Sequence, residues 1–247
     1  MKTIGLFIPC YVNDFYPEAA MATLRVLKAH GYEVIYPKGQ TCCGQPFINN
    51  GLFDEAKPLA MRMASLFEDF DYVVAPSSSC VGTVKHRYGL LPDFSNPLEH
   101  KIYELCEFLH DVVGVENLRF KKAVHERVGL HNSCHALREL ELATPSELNI
   151  PHYSKIKAVL AKIPGLEVAR PSRDECCGFG GTFSVQEPEV SVRMGLDRIE
   201  DHLANGIETM AGVDMSCLMH MQNIAKKRRI PLRFVHVAQL MEKSLEV

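Results

Sequence analysis

With 247 residues, 47 % of them apolar, the chain can bury a substantial core, as one large domain or as two of about half that size. The net charge of −3, with both signs interspersed, gives no basis for a nucleic-acid or anionic-membrane partner. No apolar run approaches the roughly 20 residues of a bilayer span, so no transmembrane segment is expected. The first residues lack the pattern of a signal peptide. This places the protein in the cytoplasm, with its nine cysteines as reduced thiols.

Residues 3–8 read as a strand leading to Cys10. Pro17 and Gly31 bracket a helix whose inner face is expected to carry Met21, Leu24 and Leu27. A strand at 33–36 leads into Cys42-Cys43-Gly44. A helix follows with Leu59, Met63, Leu66, Phe67 and Phe70 on one face, then a strand at 72–75 that precedes Cys80. Ile102, Leu105, Leu109 and Val113 place Cys106 on a buried helical stripe, which assigns it to core packing. Between Gly114 and Lys122 the periodicity gives way to charge, and the expected division is 1–118 and 119–247. Beyond it, strands are predicted at 127–131, 166–169 and 207–211. Helices are predicted near 153–162 (Ile156, Leu160, Ile163) and over 188–204 (Val192, Leu196, Ile199, Leu203). Alternating strands and helices predict an α/β fold of two duplicated domains. Each would be a small parallel sheet flanked by helices.

The halves repeat each other. Ile4 to Cys10 answers Val128 to Cys134; Gly31 to Pro37 and Cys42-Cys43-Gly44 answer Gly165 to Pro171 and Cys176-Cys177-Gly178. Asp71 to Cys80 answers Glu208 to Cys217, and Ile102 to Leu109 answers Phe234 to Met241. Eight cysteines match cysteine to cysteine, whereas Cys106 matches Ala238. In a parallel sheet the loops after the strands share one edge. Cys10, Cys42, Cys43 and Cys80 should therefore converge at one rim, and Cys134, Cys176, Cys177 and Cys217 at another.

Four thiolates per rim suit a 4Fe–4S cluster, in one half or in both. Gly44 and Gly178 would let the backbone approach a bulky cofactor, and Gly180 and Gly181 extend a run whose N–H groups can stabilise negative charge. Structural zinc is the competing reading, although no spaced C-x-x-C knuckle is present. A thioredoxin-like redox pair is disfavoured for the same reason. His131 and His135 flank Cys134, and His220 follows Cys217 by three residues, where the first half has Thr83. A solvated or capping role is the simpler reading of His220. Arg138 reads as a surface ion-pair partner rather than a substrate contact. No G-x-G-x-x-G follows a strand, and no acid–base constellation for 2-hydroxy-acid oxidation stands out, so catalytic residues are not assigned.

The two-repeat layout and the run Glu175-Cys176-Cys177-Gly178-Phe179-Gly180-Gly181-Thr182-Phe183 resemble the CCG-motif cysteine-rich-domain family of iron–sulfur proteins. That resemblance implies an iron–sulfur electron-transfer subunit of an L-lactate (2-hydroxy acid) oxidation complex that produces pyruvate. It would be a non-flavin redox component of a dehydrogenase-type assembly, with other subunits that include a ferredoxin-type iron–sulfur protein. In heterodisulfide-reducing members each half ends in C-x-x-C. Here the first of those positions is Ser77 or Asp214. This argues for ordinary 4Fe–4S sites, leaves Asp214 as a candidate oxygen ligand, and leaves room for zinc in one half. Two alternatives stay open: a cluster-dependent thiol, disulfide or quinone reductase subunit, and a zinc-stabilised assembly scaffold.

Overall fold

The computed structural model describes residues 2–169 and 171–246; Arg170, in the second copy of the repeat, lies outside them. In the first half, strands β1 (Thr3–Leu6), β2 (Glu33–Ile35), β3 (Tyr72–Ala75) and β4 (Ile102–Glu104) form a parallel sheet of order β2-β1-β3-β4. In the second, β5 (Arg127–His131), β6 (Glu167–Ala169), β7 (Thr209–Gly212) and β8 (Arg233–His236) form another of order β6-β5-β7-β8. The registers agree between copies: Ala75 pairs with Glu104 where Gly212 pairs with His236. The α/β architecture is thus present twice, and the central strands are near-continuous apolar runs because helices cover both faces.

The helices are α1 (Cys10–Phe15), α2 (Pro17–Ala29), α3 (Gln45–Asn49), α4 (Phe53–Phe67), α5 (Ser78–Gly82) and α6 (Leu105–Glu107) in the first half. The second half has α7 (Lys155–Leu160), α8 (Phe183–Gln186), α9 (Pro188–Ala204), α10 (Met215–Arg228) and α11 (Val237–Lys243). α5 and α6 continue as π-helical turns to Arg87 and Gly114. Among the described residues no helix is long and apolar enough to cross a membrane.

Several expectations need correction. The buried face of α2 consists of Ala19, Ala22, Thr23, Val26 and Leu27, whereas Met21 is exposed. Small residues there allow close packing, and a search for large apolar side chains misses such a face. Ile102 lies on β4, not on a helix; the strand feeds directly into α6, so a helical spacing carries across the junction. Cys106 itself is fully buried, away from the cysteine-bearing loops. The buried face of α9 is largely polar (Ser191, Arg198, Asp201, His202), and Leu203 points outward. Its polar groups are instead used behind the second cysteine cluster. Strand ends also move by one or two residues, with β7 starting at Thr209 rather than 207.

Candidate metal centres

The loops after β1, β2 and β3 bring Cys10, Cys42, Cys43 and Cys80 together, and those after β5, β6 and β7 do the same for Cys134, Cys176, Cys177 and Cys217. In each half the thiols form a contact string: Cys10 to Cys42 to Cys43 to Cys80, and Cys134 to Cys176 to Cys177 to Cys217. All eight are free. Each arrives by the same local device. Cys10 opens α1 behind Pro9, and Cys80 and Cys217 sit in the first turns of α5 and α10. Each CCG pair ends at a left-handed glycine, Gly44 at φ +81° and Gly178 at φ +84°. Gly178 also passes close to α9, where a Cβ would stand 2.4 Å from the Ser191 carbonyl oxygen.

Those turns aim backbone N–H groups at sulfur. Gly44 N–H donates to Cys42 Sγ, Gly178 N–H to Cys176 Sγ and Phe179 N–H to Cys177 Sγ, each at 3.4 Å. Contacts from Cys10 and Cys43, with the Gly44 N–H, hold the Cys42 thiol down to about 3. Cys134 and Cys177, with the Gly178 N–H, hold Cys176 down to about 2. The neighbouring Cys10 and Cys134 thiols are pushed up, first by that same contact and then by burial. Cys43 and Cys177 are also pushed up, first by contact with their neighbouring thiols and then by burial, so each half favours one sulfur, Cys42 or Cys176, as thiolate, the form that ligates metal.

The two rims face each other. All eight cysteines line a single cleft of about 150 Å³ between the halves, together with Tyr11, Gln45, His135, Phe179, Gly180 and Gly181. Tyr11 packs edge-on against Phe179 across the cleft, with centroids 5.7 Å apart. Among the described residues, no lysine, arginine or carboxylate side chain lines it. Gln45 Nε2 donates to His135 Nε2 at 2.9 Å, joining the halves at the cleft wall.

Other residues singled out in the sequence lie elsewhere. Arg138 pairs with Glu147 at 2.7 Å, outside the cleft. His220 is half-buried against α9, with Nε2 3.2 Å from the Ser191 carbonyl, and burial lowers its pKa. Asp214 is buried and engaged across the interface. It accepts from Ser77 Oγ (2.7 Å), Ser79 Oγ (2.9 Å), Ser79 N (3.1 Å) and Ser78 Oγ. Burial works to raise its carboxyl, but donors from Ser133, Ser78 and Ser77 and the nearby His135 outweigh that and keep it below the usual range. The position read as a candidate oxygen ligand is therefore an interdomain clamp. Ser77, Ser78 and Ser79 carry no sequence signal beyond being small and polar at a helix start.

The donor sets fit an iron–sulfur centre. Four convergent thiols per half, N–H groups aimed at sulfur and an adjoining cleft are what such a group requires. Among the described residues, the donor group compact enough for one ion is His131, Cys177 and Cys217, whose ligand atoms lie within 4.8 Å of one another.

A fold with two CCG turns and eight facing cysteines defines a class, and comparison with known proteins agrees. The family model for the CCG cysteine-rich domain matches residues 4–85 and 128–222. Lactate utilization protein A 1 of Bacillus mycoides (strain KBAB4) is 35 % identical over 98 % of this chain and 97 % of its own. Lactate utilization protein A of Bacillus subtilis (strain 168) is 34 % identical over 96 % and 98 %. Among solved structures, the glutamate racemase RacE1 of Bacillus anthracis aligns with a TM-score of 0.37 at 11 % identity, covering 98 % of this chain and 79 % of its own, a likeness too weak to bear on function. The chain belongs to the CCG cysteine-rich-domain family that includes lactate utilization protein A.

Proposed function

We propose that this protein is a cytoplasmic iron–sulfur electron-transfer subunit of a lactate-utilization system. Its two units, 1–118 and 119–247, would each hold a 4Fe–4S centre, on Cys10, Cys42, Cys43 and Cys80 and on Cys134, Cys176, Cys177 and Cys217. The observation that carries this reading is the duplicated thiol string. One zinc ion would draw four sulfurs to within about 4 Å of each other. Two sets of four thiols, each chained by contacts from loop to loop, suit a larger cluster.

When bound, such a centre supplies one-electron exchange. The chain's own residues favour the thiolate at Cys42 and Cys176, direct Gly44, Gly178 and Phe179 N–H groups at sulfur, and bury Cys43 and Cys177 against the core. Among the described residues, the cleft lining offers an anionic 2-hydroxy acid no lysine or arginine side chain. This favours electron transfer here, with oxidation of L-lactate to pyruvate completed together with partner subunits, one of them a ferredoxin-type protein.

The test is spectroscopic. Anaerobically purified protein should show broad visible absorption that dithionite bleaches, together with the paramagnetic signal of a reduced cluster. Zinc with neither property contradicts the reading. A second reading has its own support, because both thiol sets open on one cleft: a reductase that meets a thiol, disulfide or quinone there. Only that reading expects such a compound to change the reduced spectrum without a partner subunit.

A further inference from the structure

Beside the second thiol set the repeat breaks at the buried positions 131–133, the first of them at the end of a strand. β5 ends at His131, where the matching residue of the first half is Phe7. The His131 ring is 1 % exposed, yet neither Nδ1 nor Nε2 has a hydrogen-bond partner among the described residues. Buried polar atoms left this way are rare and call for a ligand. The position says which one. β5 lies between β6 and β7 in the sheet, and the loops after those strands carry Cys177 and Cys217. A ring nitrogen of His131 lies within 4.8 Å of both their sulfurs. A neutral ring carries one N–H and one bare nitrogen.

We propose that His131 donates its ring N–H to sulfur of the second centre, at Cys177 or Cys217, and thereby makes that centre the more easily reduced of the two. The inference rests on the function proposed above. Reduction adds negative charge to sulfur-rich groups, and an N–H donor stabilises that charge and raises the potential. At the first centre Phe7 offers no donor. An electron reaching the first centre then settles on the second, so the pair acquires a direction that a symmetric duplication lacks.

A potentiometric titration of the iron-loaded protein, with iron and acid-labile sulfide assayed on the same samples, tests this. Wild type is expected to show two midpoints. His131→Phe should shift the higher one negative, leave the lower one in place and keep iron and sulfide content unchanged. His131→Gln, which restores an N–H donor, should recover most of the shift. The reciprocal Phe7→His, in the other half, should move the lower midpoint positive and gives an independent reading if His131→Phe does not fold. Unmoved midpoints in His131→Phe and Phe7→His at full iron content overturn the inference while leaving the proposed function standing. Loss of second-site iron in His131→Phe and His131→Gln also overturns it, since His131 would then be a ligand. Wild-type protein without cluster iron overturns both, and the metal assay reveals that before any potential is read.

Discussion

Glu104 shows how a single side chain can carry a testable charge. It closes β4 and caps α6, its Oε2 accepting from Cys106 N–H at 2.6 Å and from Glu107 N–H at 3.3 Å, while Oε1 has no partner among the described residues. Burial, partly offset by those two donors, pushes its carboxyl up to about 8. The sign then follows. Below about pH 4.5, the ordinary glutamate value, both states hold the proton; as pH rises towards 8 the unfolded state releases it and the folded state does not. Stability is therefore full in acid and falls by about 1.4 kcal/mol per pH unit through that window, then levels off. Glu104→Gln imitates the protonated form. Its denaturant midpoint should match wild type near pH 4 and exceed it increasingly up to pH 8. A constant difference across that range would show that Glu104 ionises in the folded protein. The repeat places His236 at the matching strand end, where its Nδ1 accepts from Ala238 N–H to cap α11.

At the scale of elements, what matters is how a strand, a CCG turn and a helix combine. The alternation of short apolar strands with helices is legible because parallel strands buried on both faces leave continuous apolar runs, and the matched cysteines mark the strand ends. The polar inner face of α9 is not legible. Arg198, Asp201 and His202 look like a solvated stripe until the loop before Cys176 folds over them: Asp201 accepts from Ser172 N–H at 3.1 Å and Arg173 N–H at 3.2 Å. The same helix sets a sharp requirement at Gly178, where positive φ and the Ser191 carbonyl both exclude a side chain. Gly178→Ala should displace the second CCG turn from α9 and lose about half of the bound iron, the first centre being untouched. Iron assay of the variant checks this; a full complement would show that the turn does not set the ligand geometry.

At the scale of the molecule, the duplication predicts two sites but not that they face each other. That arrangement depends on contacts with no periodic signature. Asp214 in the second half takes the hydroxyls at the start of α5 in the first; His30 Nε2 accepts from Arg119 N–H at 3.0 Å; α11 packs against α2, with Arg25 paired to Glu242. His131 is a case in between. Its mismatch with Phe7 is visible in the repeat, but its closeness to Cys177 and Cys217 only in the fold. The central claim is that each half holds its own cluster, and it is tested most directly by counting iron and acid-labile sulfide in anaerobic wild type, Cys42→Ser/Cys43→Ser and Cys176→Ser/Cys177→Ser. The prediction is about four of each per site in wild type, and half the wild-type content in either double variant. Zinc without sulfide, or one double variant that loses all the iron while the other loses none, would contradict it.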